Sequence, residues 1–244
     1  MVDSGTTITS VRQVLDHPPL IHGWDPGEGV ITHGLIRPAL EFIESTVQPG
    51  WRTLETGSGL STIAFAMTGS DHLVIVPNAE EEQRIRAFCA DNGVDTTQVR
   101  FVIDFSERAL PTLDVGEIDC YLIDGSHSFP QVFIDWFYVR TNLRVGGWLI
   151  VDDVHVWTGR VLRDFLKAEP GWEVVHQWSG RTVAFRKTAE NADRDWSEQR
   201  FVERRTRAET IGRVRMAAAL AREGEFTEIL KRTRALLPGG QRDA

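Results

Sequence analysis

Acidic and imidazole side chains stand together at two points of the sequence, each directly after an apolar run. Asp124 and His127 follow one run, and Asp152, Asp153 and His155 follow the other. If the two runs are neighbouring parallel strands, their carboxyl ends lie about 5 Å apart. Three carboxylates at one rim repel one another and need a cation, and their oxygens suit Mg²⁺. The pattern predicts a metal site on the three aspartates, unless they only cap the helices that follow.

His127 is the candidate general base of such a site. A neutral imidazole can take a hydroxyl proton near neutral pH, and nearby carboxylates stabilise its charged form. Asp124 would take part in the chemistry by holding the cation beside it. A lone histidine can also be purely structural, and His155 is a second candidate, so the sequence leaves the assignment of the base open.

A glycine-rich loop stands between another apolar run and a helical segment. Glycines let a backbone turn sharply and approach a ligand, and the free N–H groups of a helix N-terminus favour an anionic group. A dinucleotide fingerprint would have a third glycine and an acidic end to the next strand, where this sequence has Thr62 and Val76. Glu55 instead fits a ligand with a cationic amino-acid end, although a simple helix-capping turn is the alternative. The loop and helix start comprise Glu55, Thr56, Gly57, Ser58, Gly59, Ser61 and Thr62.

The loop resembles motif I of the class I S-adenosylmethionine-dependent methyltransferases, in which Glu-x-Gly-x-Gly follows the first strand. The resemblance implies that Gly57 and Gly59 line the methionine and ribose portion of the cofactor, with Glu55 close to it. The cofactor-binding residues that it implies are Glu55, Thr56, Gly57, Ser58, Gly59, Ser61, Thr62, Asn78, Ser106, Glu107 and Asp124.

The same resemblance also implies which residues contact the adenine and the ribose of the cofactor. The family places residues around the adenine after the third strand, where this sequence has Ser106 and Glu107. It often has an acidic residue at the end of the second strand to hold the ribose hydroxyls, and Val76 stands there instead. Asn78 or Glu80 would have to take over that contact.

The strand-end aspartates resemble the metal-dependent O-methyltransferases, which include the catechol-type enzymes and sugar and antibiotic methyltransferases with an Asp-Gly-x-His motif. One metal ligand follows the fourth strand and two adjacent ligands follow the fifth, which carries over onto Asp124, Asp152 and Asp153. Catechol-type enzymes have asparagine at the last of these positions and a lysine base where His127 stands. The resemblance covers about residues 32–187. It implies Mg²⁺-assisted methylation of a hydroxyl group on a small acceptor, such as a sugar, a phenol or a natural product.

Three alternatives stay open. A metal-free methyltransferase acting on nitrogen or on a carboxylate would have the same fold, with the acidic cluster reduced to helix capping. A cofactor-binding but inactive partner subunit would use its C-terminal helices as an interface. A nucleotide-dependent oxidoreductase is disfavoured by Thr62 and Val76, and by the end of the predicted sheet.

Apolar runs alternate with segments of helical period over about residues 51–187, which predicts a mostly parallel sheet covered on both faces. The last two runs, Trp172–Trp178 and Arg181–Arg186, are separated only by a Ser-Gly pair and predict an antiparallel hairpin. The predicted fold class is therefore α/β, a Rossmann-like class I methyltransferase sheet with a C-terminal antiparallel hairpin. The other predicted strands are Trp51–Glu55, His72–Val76, Val99–Ile103, Ile118–Ile123 and Trp148–Val151, and the helices between them are Ser61–Met67, Glu80–Asp91, Val132–Thr141 and Val161–Lys167.

Helical additions flank this core. One predicted helix, His33–Thr46, precedes it, and two follow it, from about Asp195 to Arg222 and over Phe226–Leu237. An apolar stripe on the first of these two predicts packing on the core or on a second subunit, and so a possible homo-oligomer. The stripe consists of Ile211, Val214, Ala218 and Ala221. The predicted divisions are an N-terminal segment over 1–48, the methyltransferase core over 49–188 and a C-terminal helical extension over 189–244.

Composition narrows the class of partner. The 244 residues carry a net charge of −8, which argues against a broad nucleic-acid-binding surface. No apolar run approaches the roughly eighteen residues that cross a bilayer, and the N-terminus lacks the features of a signal peptide. The only cysteines, Cys89 and Cys120, predict neither a disulfide framework nor a zinc site. We expect a cytoplasmic protein that acts on a small molecule and binds neither nucleic acid nor membrane. Aromatic residues that could wall the acceptor pocket are Trp24, Trp136, Tyr138 and Trp157.

Overall fold

A computed structural model describes residues 7–23, 34–190, 194–222 and 224. The chain divides into two units, residues 1–192 and 193–244. The strands of the first unit are β1 (Arg52–Thr56), β2 (Asp71–Val76), β3 (Val99–Ile103), β4 (Ile118–Ile123), β5 (Leu143–Val151), β6 (Trp172–Trp178) and β7 (Thr182–Lys187). Its helices are α1 (Val11–Asp16), α2 (Arg37–Thr46), α3 (Leu60–Thr68), α4 (Ala79–Asp91), α5 (Ser106–Ala109), α6 (Gln131–Val139) and α7 (Trp157–Ala168).

The seven strands form one sheet in the order β3-β2-β1-β4-β5-β7-β6. Strands β1 to β5 are parallel, and β7 runs antiparallel to both β5 and β6. This arrangement confirms the predicted fold class, including the closing hairpin. The strand order reverses between β1 and β4, because β2 and β3 lie on one side of β1 while β4 and β5 lie on the other. Open α/β sheets bind ligands at the carboxyl ends of the strands beside such a reversal.

Each face of the sheet has its own hydrophobic core. Alternate residues of a strand point to opposite faces, so Val74 packs with α1 to α4 while Leu73 and Ile75 pack with α5 to α7. Helix α3 begins at Leu60, immediately after the glycine loop, and is buried along nearly its whole length. The helix therefore holds the loop against the sheet at the reversal point.

The predicted elements are largely confirmed. Strands β3 and β4 have the predicted bounds, whereas β5 begins five residues earlier than predicted, at Leu143. Helix α2 begins at Arg37 with a proline in its first turn, as expected of Pro38. Helices α1 and α5 were not predicted. Cys89 and Cys120 are both buried and free.

The described part of the second unit contains one helix, α8 (Arg200–Arg222). Ile211 and Val214 of its apolar stripe are exposed, so the packing of this stripe stays a prediction. Trp24, the start of the helix expected from His33 and the helix expected over Phe226–Leu237 lie outside the described residues. Within the ranges that the structure describes, no helix is both long enough and apolar enough to span a membrane.

Candidate active site

A cavity of about 680 Å³ opens at the carboxyl ends of the strands beside the reversal point. This volume is in the range of small-ligand pockets. The predicted site residues that line it are Thr56, Gly57, Ser58, Ser106, Glu107, Asp124, His127 and Asp153. Glu55, Gly59, Ser61, Thr62, Asn78 and Asp152 do not line it. The glycine loop and the strand-end acids are therefore parts of one site.

Gly57 lies where β1 approaches the end of β4 most closely. Its φ of +91° falls in a region that L-residues rarely adopt, and an added Cβ would lie 2.2 Å from the carbonyl oxygen of Asp124. The Gly57 N–H donates to the Ile75 carbonyl at 2.9 Å, and the Asp124 N–H donates to the Thr56 carbonyl at 3.0 Å. Only glycine fits this position without moving the two strand ends apart.

Glu55 is fully buried and does not line the cavity, and its closeness to the cofactor stays a prediction. Its Oε1 accepts a hydrogen bond from the Thr62 hydroxyl, which itself accepts from the Gly59 N–H at 3.0 Å. His72 Nε2 lies 3.2 Å from the same Oε1, and its Nδ1 lies 2.8 Å from Thr53 Oγ1. Glu55 and Thr62 thus fix the turn from β1 into α3.

Glu81, which the sequence analysis missed, faces the cavity beside the end of β2. Its carboxylate is almost fully buried, accepts from the Ser58 hydroxyl at 2.7 Å and lies 3.5 Å from His22 Nδ1. Burial alone would raise the pKa of Glu81, but hydrogen bonds from His22 and Ser58 outweigh it and lower the pKa. One pattern in the sequence could have identified Glu81. The buried face of α4 consists of residues four apart, Glu81, Ile85 and Cys89.

The predicted substitutes for the missing acid at Val76 have other roles. The Asn78 side chain caps α4 by accepting from the Glu80 N–H at 3.0 Å. Glu80 is exposed and accepts a hydrogen bond from Arg84. Glu81 is therefore the acidic side chain of this turn that reaches the cavity.

The wall near Ser106 contains a second side chain that the sequence analysis missed. Gln131 Nε2 donates to Ser106 Oγ at 2.7 Å and lies 3.2 Å from Asp135 Oδ1. Asp135 is fully buried, and burial raises the pKa of its carboxyl group. Gln131 and Ser106 line the cavity, whereas Asp135 lies behind them.

The acidic cluster lies at the ends of β4 and β5, across β1 from the ends of β2 and β3. One ligand atom each from Asp124, His127 and Asp153 lies within 4.8 Å of the others. His127 Nε2 is 2.8 Å from Asp153 Oδ2, and this hydrogen bond lowers the pKa of Asp153 against the effect of burial. Burial and the charges of Asp152 and Asp153 raise the pKa of Asp124 well above its ordinary value.

Asp152 differs from its predicted place in this cluster. Its side chain is buried and accepts a hydrogen bond from the Thr182 hydroxyl of β7. Successive side chains of an extended chain point to opposite sides, and Asp153 also has a φ of +50°. The two neighbouring aspartates therefore face different surroundings, and the cluster contains His127 where the sequence analysis predicted Asp152.

Arg181 brings a positive charge into the site from the turn of the β6–β7 hairpin. Its Nε lies 2.9 Å from Asp153 Oδ1, and its Nη2 lies 3.4 Å from Asp152 Oδ2. Neither contact has hydrogen-bond geometry, so both carboxylate oxygens lack a hydrogen bond within the described ranges. Three carboxyl groups therefore stand around one guanidinium, and burial raises the pKa of Asp152 as well as that of Asp124.

The three described residues of the predicted aromatic wall do not line this cavity. Trp136 is partly buried and packs edge-on against Phe165 with ring centroids 5.3 Å apart. Tyr138 and Trp157 are exposed, at 39% and 57%, and neither lines the cavity. His155 Nδ1 lies 3.5 Å from Asp153 Oδ1, also outside the lining.

Comparison with known proteins identifies the chemistry of this arrangement. Residues 54–154, which run from the glycine loop to the strand-end aspartates, match the profile of a methyltransferase domain family. The chain is an S-adenosylmethionine-dependent methyltransferase. The match includes all the predicted cofactor-binding residues and the three aspartates. No curated protein sequence matches this methyltransferase.

Solved structures with the same fold are distant in sequence. A cofactor-bound protein from MTB is 19% identical with a TM-score of 0.55, and 65% of this methyltransferase aligns with 83% of that chain. A proposed caffeoyl-CoA O-methyltransferase from Staphylococcus aureus is 17% identical with a TM-score of 0.54, over 64% and 86% of the two chains. The O-methyltransferase TomG from Streptomyces achromogenes, involved in tomaymycin synthesis and solved with SAM, is 16% identical with a TM-score of 0.53, over 74% and 87%. These likenesses establish the fold.

Proposed function

We propose that this methyltransferase transfers the methyl group to a hydroxyl oxygen of a small acceptor. The observation that carries the proposal is the hydrogen-bonded pair of His127 and Asp153, 2.8 Å apart, in the cavity that also contains the glycine loop. Such a pair can remove a proton from a hydroxyl group, which an oxygen acceptor needs and a tertiary amine or an ionised carboxylate does not.

His127 is the general base in this proposal. With Nε2–H donated to Asp153, the ring keeps Nδ1 as its acceptor, and the described part of the chain offers Nδ1 no hydrogen bond. Asp153 fixes this tautomer and stabilises the imidazolium that forms, as a carboxylate does in other histidine-dependent enzymes. Nδ1 takes the proton of the acceptor hydroxyl, and the oxygen forms a bond to the methyl carbon. The carbon–sulfur bond breaks, and its electron pair stays on the sulfur of S-adenosylhomocysteine.

The cavity sets the orientation of the cofactor in this proposal. The acidic end attracts the sulfonium cation, because opposite charges favour each other most in a partly buried site. The lowered pKa of Glu81 keeps its carboxylate ionised and able to accept hydrogen bonds from the two ribose hydroxyls. Glu81 thus takes over the contact that Val76 cannot make. The adenine then lies at the end of the cavity that contains Ser106.

The residues at the acidic end fit a divalent cation. A bound cation would favour the ionised forms of Asp124 and Asp152, whose pKa values burial raises. Asp153 Oδ1 is a buried oxygen without a hydrogen bond among the described residues. Asp124 and Asp153 would hold the ion. When bound, it would lower the pKa of the acceptor hydroxyl and orient its oxygen.

Two observations favour variants of this scheme. His127 lies within ligand distance of the two aspartates and could be a third ligand instead of the base; an imidazole ligand would favour Mn²⁺ or Zn²⁺ over Mg²⁺. Arg181 Nε lies 2.9 Å from Asp153 Oδ1. Its positive charge would balance this carboxylate in a metal-free methyltransferase.

Binding of Mn²⁺, followed through the loss of its free EPR signal, tests the metal part without knowledge of the acceptor. We expect one bound ion per chain. Asp153→Asn should weaken binding about tenfold or more, as loss of a ligand does, while the matched variant Asp152→Asn should change it less. Absence of binding by the wild-type protein would refute the metal part. A larger effect of Asp152→Asn than of Asp153→Asn would indicate that Asp152 is a metal ligand, as the sequence analysis predicted.

His127→Asn tests the base. An acceptor is first found by screening phenols and sugars for release of S-adenosylhomocysteine. We expect kcat to fall about 100-fold or more, with unchanged affinity for Mn²⁺ and for S-adenosylhomocysteine. Unchanged kcat would rule out His127 as the base. A loss of Mn²⁺ affinity would make it a metal ligand, and turnover that survives EDTA would show a metal-free reaction.

A further inference from the structure

The cavity wall at Gln131 has a donor and acceptor pattern that matches adenine. We propose that Gln131, held in one orientation by Asp135 and Ser106, accepts a hydrogen bond from the 6-amino group of the cofactor's adenine and thereby excludes 6-oxo purines. The proposal rests on the cofactor orientation given above. It adds a residue that determines base specificity and a second residue, Asp135, that positions it.

The adenine belongs at this end of the cavity because of the surrounding side chains. Ile75, Val76 and Phe105, at the ends of β2 and β3, give this part of the lining an apolar character. The aspartates and Arg181 follow strands β4, β5 and β6, which lie on the other side of β1 in the sheet. A planar, uncharged base gains from apolar walls with few polar groups, whereas the sulfonium is favoured by carboxylates.

Hydrogen bonds fix which atom of the Gln131 amide faces the ligand. The amide nitrogen contacts two oxygens, Ser106 Oγ at 2.7 Å and Asp135 Oδ1 at 3.2 Å, which uses both of its N–H groups. A flip of the amide would lose both of these N–H contacts and would place Gln131 Oε1 against Asp135 Oδ1, which is a second acceptor when Asp135 is ionised. The oxygen Oε1 is therefore the group left for a ligand, and it can only accept.

Asp135 also lies within hydrogen-bond reach of the hydroxyl groups of Ser106 and Thr56. It is fully buried one helical turn after Gln131 on α6, and within the described residues its Oδ2 has no hydrogen bond. Burying a carboxyl group in this way costs free energy that a leucine would not. Control of the Gln131 amide gives this buried acid a function, since i and i+4 side chains of a helix face one another.

The consequence is selection between purines. The 6-amino group of adenine donates a hydrogen bond to Gln131 Oε1. A 6-oxo group would place a second acceptor there and leave both oxygens unpaired, which is the kind of mismatch that gives strong discrimination in enzymes.

Isothermal titration with S-adenosylhomocysteine and with its 6-oxo analogue, S-inosylhomocysteine, tests the proposal. We expect the wild-type protein to bind the adenine compound more tightly by about tenfold or more. Gln131→Leu should reduce this ratio to within about threefold, while Gln177→Leu, on the exposed strand β6, should leave it unchanged. Equal affinities in the wild-type protein, or an unaltered ratio in Gln131→Leu, would overturn the proposal.

Asp135→Asn separates positioning from folding, and it also replaces Gln131→Leu if that variant does not fold. The new amide can donate to Gln131 Oε1, so Gln131 can flip and present its N–H groups to a 6-oxo purine. We expect this variant to bind S-inosylhomocysteine several-fold more tightly than the wild-type protein does, a gain that general destabilisation cannot produce. If Asp135→Asn does not bind S-inosylhomocysteine more tightly, Asp135 does not position Gln131. Failure of the wild-type protein to bind either compound would instead refute the cofactor orientation on which the proposal rests.

Discussion

Replacing Gly57 with alanine tests whether the close approach of β1 and β4 shapes the cofactor loop. The added methyl group would lie 2.2 Å from the Asp124 carbonyl oxygen, whereas ordinary contact begins at 3.4 Å. The end of β1 would have to move about 1 Å away from β4, which weakens the Asp124-to-Thr56 hydrogen bond and distorts the one from Gly57 to Ile75 of β2. Each bond contributes about 1 kcal/mol, and the left-handed φ of an alanine costs about 1–2 kcal/mol more. We expect the free energy of unfolding to fall by about 3–4 kcal/mol.

Gly50 provides the matched control. It stands just before the opposite end of β1 with a φ of +77°, and an added Cβ there would meet nothing within 4 Å. Gly50→Ala therefore has the conformational cost without the clash. For a protein of this size 1 kcal/mol corresponds to about 2–4 °C in Tm, so we expect a fall of about 5 °C for Gly50→Ala and about 10 °C for Gly57→Ala.

Thermal unfolding and titration with S-adenosylhomocysteine measure the two effects separately. Gly50→Ala should bind the ligand like the wild-type protein, because its backbone is far from the cavity lining. Gly57→Ala should bind at least about tenfold more weakly, since a loop displaced by 1 Å no longer matches its ligand. Equal Tm values for the two variants, together with wild-type binding by Gly57→Ala, would refute this reasoning.

Two further predictions concern ionisable groups. Because the pKa of Glu81 is lowered in the folded protein, its carboxylate stabilises the fold fully above its ordinary pKa of 4.5, and this contribution is lost as the pH falls through the lowered value. Acid unfolding curves should therefore be less steep for Glu81→Gln than for the exposed control Glu80→Gln, and coinciding curves would contradict the assignment. Burial raises the pKa of Cys89 to about 11 and that of Cys120 further. Both thiols should resist dithionitrobenzoate at pH 8 until guanidinium unfolds the protein, and rapid labelling of either in the native state would show that it is accessible.

The sequence predicted the sheet and the rim of the site because both depend on local patterns. Uninterrupted apolar runs such as Ile118–Ile123 predict buried strands, and residues that follow parallel strands lie at the same edge of the sheet. Helix α5 has only four residues, too few to show a helical period. Its absence from the prediction therefore has a simple cause.

The missed site residues depend on the path of the chain. His22 and Arg181 come from a segment before the core and from a hairpin turn, and no local pattern tells which way such side chains point. Asp152 and Asp153 are adjacent and alike in sequence, yet only Asp153 faces the cavity. That difference arises from the alternation of side chains along the strand and from the left-handed backbone at Asp153. Which of the two aspartates faces the cavity could not be deduced without knowing the neighbour of β5.

The buried contacts of Glu55 and His72 also determine how β1 and β2 align. Thr53 pairs with His72 in the ladder, and both polar atoms of the imidazole find partners on β1, at Thr53 and Glu55. A slip of one residue would turn His72 to the other face and leave the buried Glu55 carboxylate with the Thr62 hydroxyl in place of two partners. An apolar pair at these positions would tolerate the shifted alignment more readily. The polar contacts thus act against misfolded registers of the two strands that carry the cofactor loop.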